Sequence, residues 1–327
     1  WLCAVGLNRE VTTLLLMRSL PRPKDLQRDC DFRRSFYAVW GKVSAVIAAR
    51  ETDVEYMPYE QRLSIKACWG GEEQYLVDNR AIAVDDDSYL IFNDQRTYAS
   101  VIRSVRPVRT FSVFFRPGFA EEVLGGMLTP QDHILDRCSE PQHRSVEFAE
   151  HLRPHDRLVT PVLKYIAFHV DQGVDAEAWY EEQLSFLLER MLSSHRLTTH
   201  AVQALSASRP GKRQELYRRL HWGRDFIHSN YQRPITIDDM ARAACLSKYH
   251  FIRLFHGLEG VTPYRYLQQK RVAAAQRLLS TTQLTHVEIA EQVGFDHRST
   301  MFRQIRRLTG RSGRQWRGQS ARAKSSA

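Results

Sequence analysis

The sequence predicts an α+β, multidomain protein: a small antiparallel β-barrel or sandwich with helices after it, then an all-α C-terminal domain. Three observations predict this. Apolar and polar residues alternate with period two over about residues 56–116, the mark of half-buried strands. Helical periodicity takes over after Pro117-Gly118 and continues toward the end of the chain. Charge divides along the same line. The 327 residues carry 47 Lys+Arg and 37 Asp+Glu, a net +10. From Lys212 onward there are 22 basic and 8 acidic side chains, a balance of +14, which leaves 25 and 29 for residues 1–211, a balance of −4. A basic C-terminal third on a slightly acidic body suits a polyanion partner for that third.

The strand region is built from short alternating runs. Leu63, Ile65, Ala67 and Trp69 alternate with Ser64, Lys66 and Cys68, which predicts one buried and one solvated face. Tyr75 and Val77 follow, then Ile82 and Val84, Tyr89 and Ile91, and Val101 to Phe115. Turn residues separate the runs at Gly70-Gly71, Asp78-Asn79, Asp85-Asp86-Asp87 and Asn93-Asp94. Strands this short at this spacing make a closed or nearly closed antiparallel sheet.

Helices are predicted next at Phe119 to Leu128, Pro161 to Val170 and Ala176 to Leu192. The last shows Trp179, Tyr180, Gln183, Leu184, Leu187, Leu188 and Met191 on one broad face, with Glu181, Glu182 and Glu189 opposite. Ser206 to Lys212, with Pro210-Gly211 in it, reads as a linker. The predicted organisation is 1–35 as a poorly ordered start, 36–205 as the first domain, 206–214 as linker, 215–318 as the helical domain and 319–327 as a basic tail.

The helical domain reads as Glu215 to Asn230, a helix from Thr236, one capped by Ser247, a long one from Thr262-Pro263 to near Ser280, one from Thr285, one over Arg298 to Leu308, and a short one at Ser312 to Arg317. Thr285 with Glu288 has the spacing of a capping box, and Thr236 with Asp239 resembles one. An internal near-repeat runs through these helices. Met240-Ala241 and Ile289-Ala290 stand 49 residues apart, and each alanine is followed four residues on by Cys245 or Gly294. A second helix follows in both copies, with Phe251, Leu254 and Phe255, or Met301 and Ile305, toward the core. Two helices crossing steeply need a small side chain at the crossing and a tight turn, the build of a helix-turn-helix unit. Its second helix lies in the DNA major groove with its N-terminal residues on base edges.

The stretch Ile235 to Arg317 resembles the AraC/XylS transcription regulators. The motif residues are Leu246-Ser247, Arg253-Leu254-Phe255, Pro263-Tyr264, Arg271, Ala275, Leu278-Leu279, Ile289-Ala290, Val293-Gly294-Phe295, Arg303 and Gly310. The chain departs from the family at Met301 and Ile305, where phenylalanine is usual, at Gly313 for proline and at Trp316 for tyrosine. The resemblance implies two helix-turn-helix units on a long connecting helix, reading adjacent major-groove segments roughly 34–36 Å apart. It also implies a cupin-like N-terminal barrel for effector binding or dimerisation, with the Ala176 to Leu192 helix as a candidate dimer contact.

Candidate DNA contacts follow. Ser247, Lys248, Tyr249, His250 and Arg253 open the first recognition helix, and Arg298, Ser299, Thr300 and Arg303 the second, with Arg307 among the arginines behind it. Arginine suits paired bonds to guanine, and Ser299 and Thr300 suit phosphates or bases. By resemblance, Tyr249, Ile252 and Arg253 fall on base-facing positions. Trp69, Tyr75, Tyr98, Phe111 and Phe115 are the candidate effector residues.

Other classes are disfavoured. Five scattered cysteines without CxxC spacing argue against a disulfide framework or a structural zinc site. No histidine lies between Phe32 and Gly118, which argues against a metal-binding barrel. No GxSxG or phosphate-binding glycine loop appears, and no apolar run approaches the ~18 residues of a membrane span. The expectation is a bacterial, cytoplasmic, non-enzymatic regulator without cofactor or metal. Its expected partners are double-stranded DNA, RNA polymerase, a small effector and a second copy. A DNA-binding enzyme using a reactive cysteine, and a regulator governed by a protein partner, are the alternatives.

Overall fold

The computed structural model describes residues 10–16, 42–128, 146–174, 176–203 and 210–310. It divides into two units, Trp1–Arg213 and Gln214–Ala327.

The first unit is an eight-stranded antiparallel sheet with helices on one face. Its strands are β1 (Glu10–Leu16), β2 (Ala45–Gln61), β3 (Ser64–Trp69), β4 (Glu72–Val77), β5 (Arg80–Asp85), β6 (Ser88–Phe92), β7 (Arg96–Phe114) and β8 (Arg153–Pro154). The order is β1-β2-β7-β3-β6-β8, with β4 paired to β5 and to Ala99–Val101 near the start of β7. β2 and β7 run side by side for most of their 17 and 19 residues, with irregularities at Glu51/Asp53 and Tyr56/Tyr59. Bulges sharpen strand twist. Long β7 pairs with β3 at one end and with β4 further back, so the sheet curls into a half-barrel. Asp78 and Asn79, at φ +48° and +59°, form the two-residue turn that a twisted hairpin such as β4–β5 requires.

Register assigns the two faces. Val46, Val113, Ile65 and Ile91 share one cross-strand row, and Ala48, Phe111, Ala67 and Tyr89 the next. This face packs against helices α1 (Phe119–Leu128), α2 (Val159–Asp171) and α3 (Glu177–Gln203). The other face carries Ser64, Lys66 and Cys68, all almost completely buried. Here the sequence expectation of a solvated face fails. The sheet curls over itself, and Tyr75, Val77, Ile82 and Val84 of the β4–β5 hairpin join a second core with Leu90, Phe92, Tyr98 and Ile102.

Further corrections concern the ends of elements. Within residues 1–35, expected to be poorly ordered, Glu10–Leu16 forms β1 on the edge of β2. The partner edge is supplied by Ala45–Arg50, and a local sequence window does not contain it. α3 runs to Gln203, well past Leu192. Its apolar face, Tyr180, Leu184, Leu187, Leu188 and Met191, is buried in its own unit's core and so is not free for a dimer contact. Residues 206–209 of the expected linker lie outside the described residues, and Pro210–Lys212 already belong to a helix. No described helix is long and apolar enough to cross a membrane.

The second unit is helical throughout its described residues: α4 (Pro210–Asn230), α5 (Ile237–Ala243), α6 (Lys248–Glu259), α7 (Pro263–Thr281), α8 (His286–Gln292) and α9 (Arg298–Thr309). Proline at the first position suits both α4 and α7. At ~1.5 Å per residue the 19 residues of α7 make a rod about 28 Å long. It is buried on several sides, through Leu267, Val272, Ala274, Ala275 and Leu279, because α5, α6, α8 and α9 all pack on it. The expected helix at Ser312 to Arg317 and the departures Gly313 and Trp316 lie outside the described residues.

Candidate nucleic-acid interface

The near-repeat in the sequence is a near-repeat in space. Thr236 Oγ1 accepts from Asp239 N at 3.2 Å, and Thr236 N donates back to Asp239 Oδ2 at 2.9 Å. Thr285 and Glu288 make the same reciprocal pair. Both acids sit in the first turn of a short helix, where the cap hydrogen bonds lower their carboxyl pKa values. Both short helices end alike. Leu246 N donates to Ala241 O at 3.0 Å, and Phe295 N to Ala290 O at 2.8 Å, the six-to-one bond of a left-handed helix stop. The residues that turn the chain are Cys245 (φ +51°) and Gly294 (φ +82°).

α6 and α9 then follow with matching burial. Phe251 and Phe255 are wholly buried in one, Met301 and Ile305 in the other. Both stop at a glycine in the left-handed region, Gly260 and Gly310. The offset is 49 residues for the short helices and 50 for the long ones, so the second turn is one residue longer. Methionine and isoleucine therefore fill the phenylalanine positions without leaving the core.

What the paired helices present outward is cationic and polar. Lys248, Tyr249, His250 and Arg253 are exposed on α6, Tyr249 by 85%. Ile252 is partly buried. On α9, Arg298, Ser299, Arg303, Arg306 and Arg307 are exposed and Thr300 partly so. Two tethers shape this surface. Lys248 Nζ reaches Asp238 Oδ2 of α5 at 3.0 Å, and Arg303 Nη2 reaches Thr300 Oγ1 at 3.5 Å. Ser247 stands at the N-cap position of α6 but makes no backbone cap bond there. Its hydroxyl lies 3.1 Å from His250 Nδ1 instead, which corrects the expected cap. Tyr249 and Arg253 of α6, one turn apart, are exposed and make no such tether to any described residue.

The scaffold behind these helices uses residues that the sequence reading did not single out for this role. Arg271 of α7 donates from Nε to Tyr231 O and from Nη2 to Arg233 O, both at 2.7 Å, and so ties the end of α4 to the connecting rod. Burial lowers the pKa of its guanidinium. Gly223 of α4 lies against Phe251, whose ring a Cβ there would meet at 2.5 Å. Arg271 stood among the family motif residues, which was the signal available; for Gly223 the sequence offered none.

The five candidate effector residues separate in the first unit. Tyr75 and Tyr98, with ring centroids 5.5 Å apart, belong to the core inside the curl. Phe111 and Phe115, with Trp69 beside them, belong to the face covered by helices. They do not line one pocket. A cavity of about 300 Å³ lies elsewhere, among Lys42, Val43, Ser44, Arg116, Phe119, Glu177 and Glu181, and Arg116 there is already bonded twice to Glu122. Among the described residues no group of three His, Cys, Asp or Glu is placed to hold a metal ion. Cys68 is buried with its thiol on Val84 O at 3.0 Å, and burial raises its pKa, the reverse of an activated thiol.

Part of the chain is similar in sequence to known proteins. Residues 240–319 match the family model described as a helix-turn-helix domain. The chain is 34% identical over 94 residues to the HTH-type transcriptional regulator AlkR of Acinetobacter baylyi, covering 29% of this chain and 31% of that one. It is 37% identical over 71 residues to the lactose operon transcription activator of Staphylococcus xylosus, covering 22% and 25%. The crystal structure of the AdpA DNA-binding domain bound to target DNA aligns at 26% identity over 33% of this chain and 97% of that chain, with a TM-score of 0.32. The C-terminal unit is a helix-turn-helix domain. Its matched segment is of the AraC/XylS type. The chain spans about a third or less of the length of these regulators.

Proposed function

We propose that this protein is a sequence-specific transcription regulator of the AraC/XylS type, acting as an activator. α5–α6 and α8–α9 are its two helix-turn-helix units, and α6 and α9 its recognition helices. The observation that carries this reading is the equivalence of the two helix pairs. Two copies bury the same positions, turn the same way and expose cations at the same place, on one rod of about 28 Å. That suits two successive major-groove segments on one face of a duplex. The N-terminal unit is the regulatory half, a cupin-like barrel that answers a small effector or sets dimerisation. RNA polymerase is the partner on the promoter.

Gel-shift titration of the full chain against promoter fragments tests this. Binding is expected to weaken steeply with salt, because each neutralised phosphate releases counterions. Arg253→Ala is expected to cost about 1–3 kcal/mol on the preferred site and to relax choice at one base pair. Arg307→Ala is expected to weaken all sequences alike and to flatten the salt slope by about one. Binding that is absent, or indifferent to salt, would overturn the assignment.

A further inference from the structure

The cavity of about 300 Å³ in the first unit lies at the end of its sheet. None of its lining residues belongs to the core inside the curl, and of them only Phe119 belongs to the core under the helices. Lys42, Val43 and Ser44 lead into β2, Arg116 follows β7, Phe119 opens α1, and Glu177 and Glu181 stand in the first turns of α3. Ligand sites run from ~300 to ~1,000 Å³, so this one has room for a single small molecule.

Part of its wall is fixed. Arg116 N donates to Ser44 Oγ at 3.1 Å. The Arg116 guanidinium lies 4.4 Å from the Phe119 ring centroid and donates to both oxygens of Glu122, at 2.7 and 2.6 Å. These hydrogen bonds raise its pKa, and the charge of Glu181 adds to the rise. Arg116 and Glu122 therefore cancel one another. The remaining charges at the cavity are Lys42, Glu177 and Glu181, all exposed and, among the described residues, in no ion pair. Glu177 and Glu181, four residues apart, share one helix face at a separation of about 6 Å, where like charges repel. One ammonium and two carboxylates are left to be answered.

We propose that this cavity binds a basic α-amino acid such as lysine or ornithine, its carboxylate on the Lys42 ammonium and its two ammonium groups on Glu177 and Glu181. Such a ligand carries two positive charges and one negative, the complement of what the cavity presents. A monocarboxylate would meet two like charges, a neutral amino acid would leave one glutamate unanswered, and a simple diamine would face Lys42. Arg116 does not compete for the carboxylate, since Glu122 holds both of its Nη groups. The site is separate from the interior of the curl and goes beyond the reading of the chain as a regulator.

Isothermal titration of the full chain, without DNA, tests it with three ligands: lysine, norleucine, which lacks the side-chain ammonium, and cadaverine, which lacks the carboxylate. Lysine is expected to bind about 5- to 10-fold more tightly than either, the worth of one charged contact at a partly exposed site. The double variant Glu177→Gln, Glu181→Gln is expected to erase the preference over norleucine, and Lys42→Met the preference over cadaverine. Both leave the melting temperature unchanged, because all three side chains are exposed. Equal affinities of the wild-type chain for the three ligands overturn the site, whatever the variants do. So does a lysine affinity that the double glutamine variant leaves as it was, and so does the lack of any lysine heat up to concentrations on the order of 10 mM. With no DNA in the cell, each outcome is independent of whether the chain regulates transcription.

Discussion

Gly294→Ala is expected to lower the melting temperature of the C-terminal unit by roughly 15 °C and to abolish DNA binding at 37 °C. Gly294 holds φ +82°, where any Cβ is strained by about 1–2 kcal/mol. The added methyl would also meet Tyr231 O at 2.7 Å and Gln232 O at 2.8 Å, with Arg271 Nη2 at 3.0 Å. Two of those neighbours are backbone and cannot rotate aside, so the turn must move, which adds about 1–3 kcal/mol. Cys245, its counterpart in the first copy, already carries a Cβ at φ +51° and is exposed. Cys245→Gly is therefore expected to be neutral or to stabilise by up to about 1 kcal/mol. Thermal unfolding of both variants checks the pair. A Gly294→Ala melting point within 2–3 °C of wild type, a shift of about half a kcal/mol, would remove the claimed close approach.

Arg271→Met is expected to destabilise the same unit by about 3 kcal/mol, measured by urea unfolding. The substitution keeps much of the stem but strands two backbone carbonyls, Tyr231 O and Arg233 O, that now receive 2.7 Å bonds from a charged donor. Charged hydrogen bonds contribute about 1.5–3 kcal/mol each, and part of this is recovered as the carbonyls find water. Arg271→Lys is expected to recover little, since one ammonium cannot span both carbonyls as the guanidinium fork does. Arg253 provides the contrast. It is exposed and untethered, so Arg253→Ala is expected to leave the urea midpoint unchanged while it alters base preference. A stabilised or unaffected Arg271→Met would mean that the bracket between α4 and α7 is not what fixes the unit.

Much of the C-terminal unit was legible because its signals are local. Thr285 with Glu288, Pro263 after Thr262, and Gly310 after a periodic run each act within four residues, and each does what its spacing predicts. The Ser247 cap misled because a histidine three residues on offers its hydroxyl a competing partner. In the N-terminal unit, alternation located the strands but mistook their second face. Whether Lys66 meets water depends on the β4–β5 hairpin and the curl of β7, which no window around β3 contains. Of the effector candidates, Tyr75, Tyr98, Phe111 and Phe115 are buried and Trp69 is partly so. Their division between two cores follows from strand register, since one step along a strand changes the face.

By itself the sequence determined the elements of the helical unit, its internal repeat and the cationic character of what the repeat exposes, because caps, turns and periodicity act over a few residues. Only the tertiary structure decided that β1 joins the sheet, that α3 buries its apolar face at home, and that Lys66 lies inside. Those outcomes depend on pairings between residues tens of positions apart, and burial is a property of what arrives from elsewhere in the chain.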